Sequence, residues 1–204
     1  ISAVSHELRT PLTSIKGYAS IVAAGKLGEL PDAARERIEK INKHADNLSE
    51  LINNLLDISR IESGRVEMKR DTLNMRALIE SLADMLAPPM KDKNVEFIVD
   101  VPADMPPACG DKTQIERVFI NLIGNAIKFT PPGGHITARG RMNPDGSQQF
   151  SISDNGIGIS EKDLAKLGEE VFRLDNDVNA KVKGTGLGLS LVKNIVAAHK
   201  GKFS

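Results

Sequence analysis

The stretch DAARERIEKINKHADNLSELINNLLDISRIES (residues 32–63) decides the first half of the fold. Ala34, Ile38, Ile41, Ala45, Leu48, Ile52 and Leu55 recur in alternating four- and three-residue steps, the a/d seam of a heptad repeat. Leu51, Ile58 and Ile61 widen the apolar stripe, which favours a bundle over a two-stranded coil. Asp32 is the expected cap, and Ser63-Gly64 stops the helix. Upstream, Val4, Leu8, Leu12, Ile15, Ala19 and Val22 repeat at helical steps across residues 1–25, and Gly25 to Pro31 reads as a turn. Pro11 lies inside that first helix and predicts a bend just after His6. Two helices joined by a short turn cannot bury so wide a stripe. A second copy would complete a four-helix bundle, so the expectation is a homodimer.

From residue 65 the pattern changes to mixed helix and strand. Met75–Met90 reads as a helix, Val95–Val101 as a strand, and Lys112–Phe129 as a helix capped by Asp111. Ile136–Met142 and Gln149–Asp154 alternate as strands around the turn Asn143-Pro-Asp-Gly146. Residues 160–183 are polar and weakly patterned, with one short helical stretch, and residues 187–199 form an apolar-faced helix. Strands and helices on one sheet predict an α/β layer with its helices on one face.

Composition narrows the function. The 204 residues, 40% hydrophobic and 26% charged, are enough for one large or two small domains with packed cores. A formal net charge of zero argues against a nucleic-acid binder, which would carry a basic excess. The aromatics are few and not interleaved with basic residues, so single-strand stacking is not expected. The single cysteine, Cys109, excludes an intrachain disulfide, fits a reducing compartment, and reads as a small core residue beside Pro106-Pro107. No apolar run approaches the roughly 20 residues that span a bilayer, and no signal peptide is visible. The expectation is a cytoplasmic fragment of something longer, any membrane anchor lying outside it.

Four segments carry chemistry. His6 stands in Ser5-His6-Glu7-Leu8-Arg9-Thr10-Pro11-Leu12, with a carboxylate directly after it and the Thr10 hydroxyl one turn on. Asn121 and Asn125 are spaced i, i+4 on one helix face, with Lys128 following; two amides and an ammonium suit triphosphate oxygens and a hydrated Mg²⁺, or make a solvated polar face. Asp154 ends a strand and enters Asn-Gly-Ile-Gly, where it could accept from an exocyclic amine such as adenine's while Gly156 and Gly158 let a base approach the backbone; the alternative is an ordinary turn. Gly184, Thr185, Gly186 and Gly188 open the last helix, where bare backbone N–H groups make an anion site or the glycines make a hinge. No spacing suggests zinc, and no Ser/His/Asp hydrolase signature is present.

In this order the segments resemble the boxes of the sensor histidine kinases of two-component signalling. Ser5-His6-Glu7-Leu8-Arg9-Thr10-Pro11-Leu12 is similar to the H box, Asn121 to Thr130 to the N box, Asp154-Asn-Gly-Ile-Gly158-Ile to the G1 box and Gly184-Thr-Gly-Leu-Gly188-Leu to the G2 box. Val171-Phe172-Arg173 resembles part of the F box, without the usual pair of phenylalanines. The resemblance implies a dimerising phospho-acceptor hairpin over residues 1–64, a linker over 65–69, and over 70–204 a catalytic ATP-binding domain, an α/β sandwich of the gyrase, chaperone, histidine-kinase and mismatch-repair type. The family's catalytic domain continues into a further strand that this sequence does not contain, so that domain is read as C-terminally truncated.

The resemblance also implies roles. His6 would accept the γ-phosphoryl of ATP and pass it to an aspartate of a response regulator. Glu7 would hold the imidazole, and Thr10 would position a water for regulator dephosphorylation. Asn125 would help hold Mg²⁺, Asn121 would contact phosphates, Lys128 and Phe129 would belong to the same ATP site, and Asp154 would read adenine. The rival readings are an ATP-driven conformational machine of the same superfamily, which needs no hairpin carrying His6, and a docking scaffold with a decayed ATP site.

Overall fold

The computed structural model describes residues 2–26, 28–63, 68–164 and 186–204, with backbone alone at residues 2–6, 62, 162 and 163. Two long helices come first, α1 (Ser2–Ala23) and α2 (Asp32–Glu62). Helix α1 runs unbroken through Pro11. Just after the proline, Thr13 Oγ1 donates to Arg9 O (2.9 Å) and Ser14 Oγ to Thr10 O (3.2 Å), the side-chain back-bonding that bends helices. Asp32 is not the cap of α2. Pro31 takes that place in an extended conformation, and Asp32 is the first helical residue, where its charge meets the positive end of the helix dipole.

The helices pack antiparallel in a register fixed by three polar pairs. Arg9 Nη2 donates to Asn53 Oδ1 (3.0 Å), Lys16 Nζ pairs with Asp46 Oδ1 (2.6 Å), and Ser20 Oγ donates to Asn42 Oδ1 (3.5 Å). Beneath them Leu12, Ala45, Ile52 and Leu56 form a buried cluster. The heptad seam therefore divides. Ala45 and Ile52 turn to α1, while Ile41, Leu48 and Leu55, each seven residues apart, stay exposed, as do Leu8 and Ile15 on α1.

The second half is α/β: β1 (Asp71–Leu73), α3 (Met75–Met85), α4 (Ala87–Asp92), β2 (Glu96–Asp100), β3 (Ala108–Gly110), α5 (Lys112–Phe129), β4 (His135–Met142), β5 (Gln148–Asp154), α6 (Glu161–Leu164) and α7 (Gly188–Ala198). The main sheet has the order β2-β4-β5, with β2 parallel to β4 and β5 antiparallel to it. Helices α3 and α5 cover one face, where Ile79, Ile123, Ile136 and Ala138 are fully buried. Asn74 Oδ1 caps α3 through the Ala77 N–H (3.0 Å).

Three expectations are corrected here. The single helix expected over 75–90 is two, broken at Leu86, because Pro88 and Pro89 have no N–H to continue the ladder and sit instead in the first turn of α4. Cys109 is exposed rather than a core residue: it is the middle residue of β3, opposite Thr72 of β1, and the strand alternation turns it outward between Ala108 and the buried Gly110. Leu51, Ile58 and Ile61, assigned from sequence to the bundle, pack against the second half, where Ile58 meets Val118, Leu187, Leu191, Val192 and Ile195. An ion pair between Asp57 of α2 and Arg117 of α5 borders this contact.

Candidate nucleotide and phospho-acceptor site

Helix α5 is anchored at its start by Asp111. Its Oδ1 accepts the Gln114 N–H (3.1 Å), and its Oδ2 accepts the Lys69 N–H (3.1 Å). The Asp111 N–H donates to His199 Nε2 (3.0 Å), whose Nδ1 lies 2.8 Å from Ile195 O, so the imidazole carries its proton on Nδ1 and ties the end of α7 to the start of α5. Both asparagines of the polar face are half-buried. Asn121 Nδ2 donates to Arg117 O (2.8 Å), which leaves its Oδ1 toward α7: a Cβ on Gly188 would come within 2.7 Å of it. Glycine at 188 lets the last glycine of one motif touch the first asparagine of another.

A second close approach joins the other motifs. Asp154 Oδ1 accepts the Gly156 N–H (2.9 Å), an Asx-type turn at the end of β5. A Cβ on Gly156 would meet Phe129 O at 2.7 Å, so only glycine brings this loop against the last turn of α5. Asn155 fastens the loop to β4, its Oδ1 accepting the His135 N–H (2.9 Å) and its N–H donating to His135 O (3.3 Å). Lys128 Nζ lies 4.8 Å from the Phe129 ring centroid. Asp154 is exposed, and Gly158 and Gly186 hold positive φ angles of 68° and 76°.

The structure thus brings Gly188 against Asn121 in the middle of α5, and the Asp154–Gly156 loop against Phe129 at its end. Gly184, Thr185 and the segment Val171-Phe172-Arg173 lie outside the described residues. Glu7 and Thr10 are exposed on α1, and His6 is described by its backbone, within the same helix. Extending the register of Arg9 with Asn53 and Lys16 with Asp46 sets position 6 level with residue 56 of α2. Asp57, the residue that meets Arg117, is next to it, so position 6 and the docked face of α5 share one level of the hairpin. Among the described residues, two carboxyl groups held below their ordinary range lie elsewhere: Glu36, by a hydrogen bond from Lys40, and Asp145, by hydrogen bonds from Ser147. Among the described residues no group of three or more His, Cys, Asp or Glu side chains could hold a metal. A lone amide oxygen such as that of Asn125 fits Mg²⁺, which keeps most of its waters and takes one or two protein ligands beside phosphate oxygens.

Residues 1–64 match the His Kinase A (phospho-acceptor) domain, and residues 110–204 match the histidine kinase-, DNA gyrase B- and HSP90-like ATPase. The chain belongs to the sensor histidine kinase family. Over 203 residues it is 34% identical to the histidine protein kinase DivJ of Caulobacter vibrioides, covering 100% of this chain and 34% of that protein. It is 33% identical over 202 residues to the sensor histidine kinase WalK of Bacillus subtilis, covering 98% of this chain and 33% of that one. The crystal structure of full-length ShkA in complex with AMPPNP superposes with a TM-score of 0.79 at 26% identity, over 97% of this chain and 40% of ShkA. The chain spans about a third of the length of these curated relatives. In family terms α1 and α2 fall within the phospho-acceptor domain, and α5 to α7 fall within the ATPase match. Sequence reasoning missed Arg117, Asn155 and His199 as members of this region. Each acts through a contact with an element distant in the chain, which no local spacing announces.

Proposed function

We propose that this chain transfers the γ-phosphoryl of ATP to His6 and then to an aspartate of a response regulator. The observation that carries the reading is the convergence on α5: Asn121 against Gly188 on one side, and Asp154-Asn-Gly156 against Phe129 on the other. That arrangement suits a nucleotide with its adenine at Asp154 and its phosphates along Asn121, Asn125, Lys128 and the glycines before α7. The hairpin carrying His6 distinguishes a kinase from an ATP-driven machine.

In the reaction an imidazole nitrogen attacks phosphorus, the bond to the β-phosphate bridging oxygen breaks, and ADP leaves. Neutral imidazole is needed, since a protonated ring nitrogen has no lone pair with which to attack. Glu7 holds the proton on the other ring nitrogen and offsets the charge that develops there. Lys128 would offset the charge of the phosphates, and most of the rate would come from such positioning and electrostatics. Mg²⁺, held through Asn125, would supply further charge neutralisation at the phosphate oxygens. The exposed stripe of Leu8, Ile15, Ile41, Leu48 and Leu55 supports a homodimer built through the hairpin.

Incubation with radiolabelled ATP and Mg²⁺ tests the reading. The label should survive base and be lost in acid, chelation by EDTA should abolish it, and His6→Gln should remove it while nucleotide binding persists. Full labelling of His6→Gln would sink the assignment. The exposure of Thr10 one turn after His6 favours a second activity, dephosphorylation of the regulator through a water held by its hydroxyl. Thr10→Ala should slow that reaction at least about tenfold and leave autophosphorylation intact, and an unchanged rate removes Thr10 from the role.

A further inference from the structure

We infer that Lys93 is a positioning residue of the nucleotide site, holding the last turn of α5 through three carbonyl oxygens; this rests on the nucleotide-site reading above. The end of a helix leaves its last carbonyls without partners. The N–H groups of the two residues after the cap commonly serve them. Here the cap is Thr130, whose N–H bonds Ala126 O (2.9 Å), and the next two residues are Pro131 and Pro132, which have no N–H. Lys93, in the turn between α4 and β2, supplies the missing donors. Its Nζ donates to Ile127 O (2.8 Å), Lys128 O (3.0 Å) and Thr130 O (2.9 Å), which uses all three ammonium protons. The contact is reciprocated, since Gly133 N donates to Lys93 O (3.2 Å). The positive charge also meets the negative end of the α5 dipole.

The turn held in this way carries Lys128 and Phe129. The one carbonyl of that turn outside the Lys93 cage, Phe129 O, is the atom against which Gly156 packs. Lys93 therefore grips the turn from one side while the adenine-side loop leans on it from the other. Without the ammonium, three half-buried carbonyls lose their donors and the turn is free to shift. The shift reaches the nucleotide through Lys128, Phe129 and the Gly156 loop.

The test compares Lys93→Met with Lys93→Arg, and with Lys91→Met, an exposed lysine on α4, as control. Trinitrophenyl-ATP binding with Mg²⁺ is titrated by fluorescence, and autophosphorylation is measured at limiting and saturating ATP. Lys93→Met should weaken nucleotide binding about tenfold, the effect of losing charge-assisted hydrogen bonds. Its rate at saturating ATP should stay within about twofold of wild type, so that KM and not kcat carries the change. Lys93→Arg should recover most of the affinity, and Lys91→Met should change nothing. Where Lys93→Met does not fold, Lys93→Gln, which keeps two donors and drops the charge, carries the same comparison. Unchanged affinity in folded Lys93→Met or Lys93→Gln overturns the role, as does an equal loss in Lys91→Met. A wild-type chain that binds no nucleotide defeats the site reading and this inference together; normal wild-type binding with normal variant binding defeats this inference alone.

Discussion

Gly188 shows how much a single residue carries. Its Cα faces Asn121 Oδ1 so closely that a methyl group would stand 2.7 Å from it. Asn121 is itself held by the bond from Nδ2 to Arg117 O and has little room to retreat. Gly188→Ala should therefore push Asn121 off its position and weaken ATP binding about tenfold, with the fold intact by circular dichroism. Equilibrium titration with an ATP analogue checks it. The glycine was legible in the sequence as part of a helix-opening loop. What it touches was not, because the partner lies on another helix far back in the chain. The same holds for Lys93: the prolines after Phe129 announce that the helix end lacks donors, but nothing local names the lysine that provides them. Cys109 failed for the opposite reason, since composition suggested burial and the alternation within a three-residue strand decided otherwise.

At the scale of elements, α2 was the most legible and also the most ambiguous. Its heptad was plain, but one helix serves three neighbours. Ala45 and Ile52 face α1, Ile58 faces α5 and α7, and Ile41, Leu48 and Leu55 face outward. Periodicity reports that a face is apolar and is silent on what covers it. The outward set predicts that Leu48→Asp converts a dimer to a monomer in light scattering while helix content stays near wild type; a dimer that survives this change places the subunit contact elsewhere. The break between α3 and α4 could have been read from Pro88-Pro89, but the apolar pattern continues across it and masked the stop. The strands β1 and β3 are too short for any alternation to declare them.

For the whole molecule, the decisive feature is that the α/β layer docks on the hairpin at the level of His6. Ile58 fills an apolar seat made by Val118, Leu187 and Leu191, and Asp57 pairs with Arg117, one turn before Asn121. The division into helical hairpin and α/β layer was legible from the switch in periodicity near residue 65. Their contact was not, since it depends on Leu51, Ile58 and Ile61, which from sequence only widen the apolar stripe of the bundle. The proposed reaction is the phosphorylation of His6 by ATP bound along α5. Mass spectrometry of the chain at neutral pH, after incubation with ATP and Mg²⁺, reads this directly. The predicted result is one phosphoryl group on the imidazole of the peptide containing Ser5-His6-Glu7. A phosphoryl group on His44, His135 or His199, or on a serine or threonine hydroxyl with His6 unmodified, would contradict it.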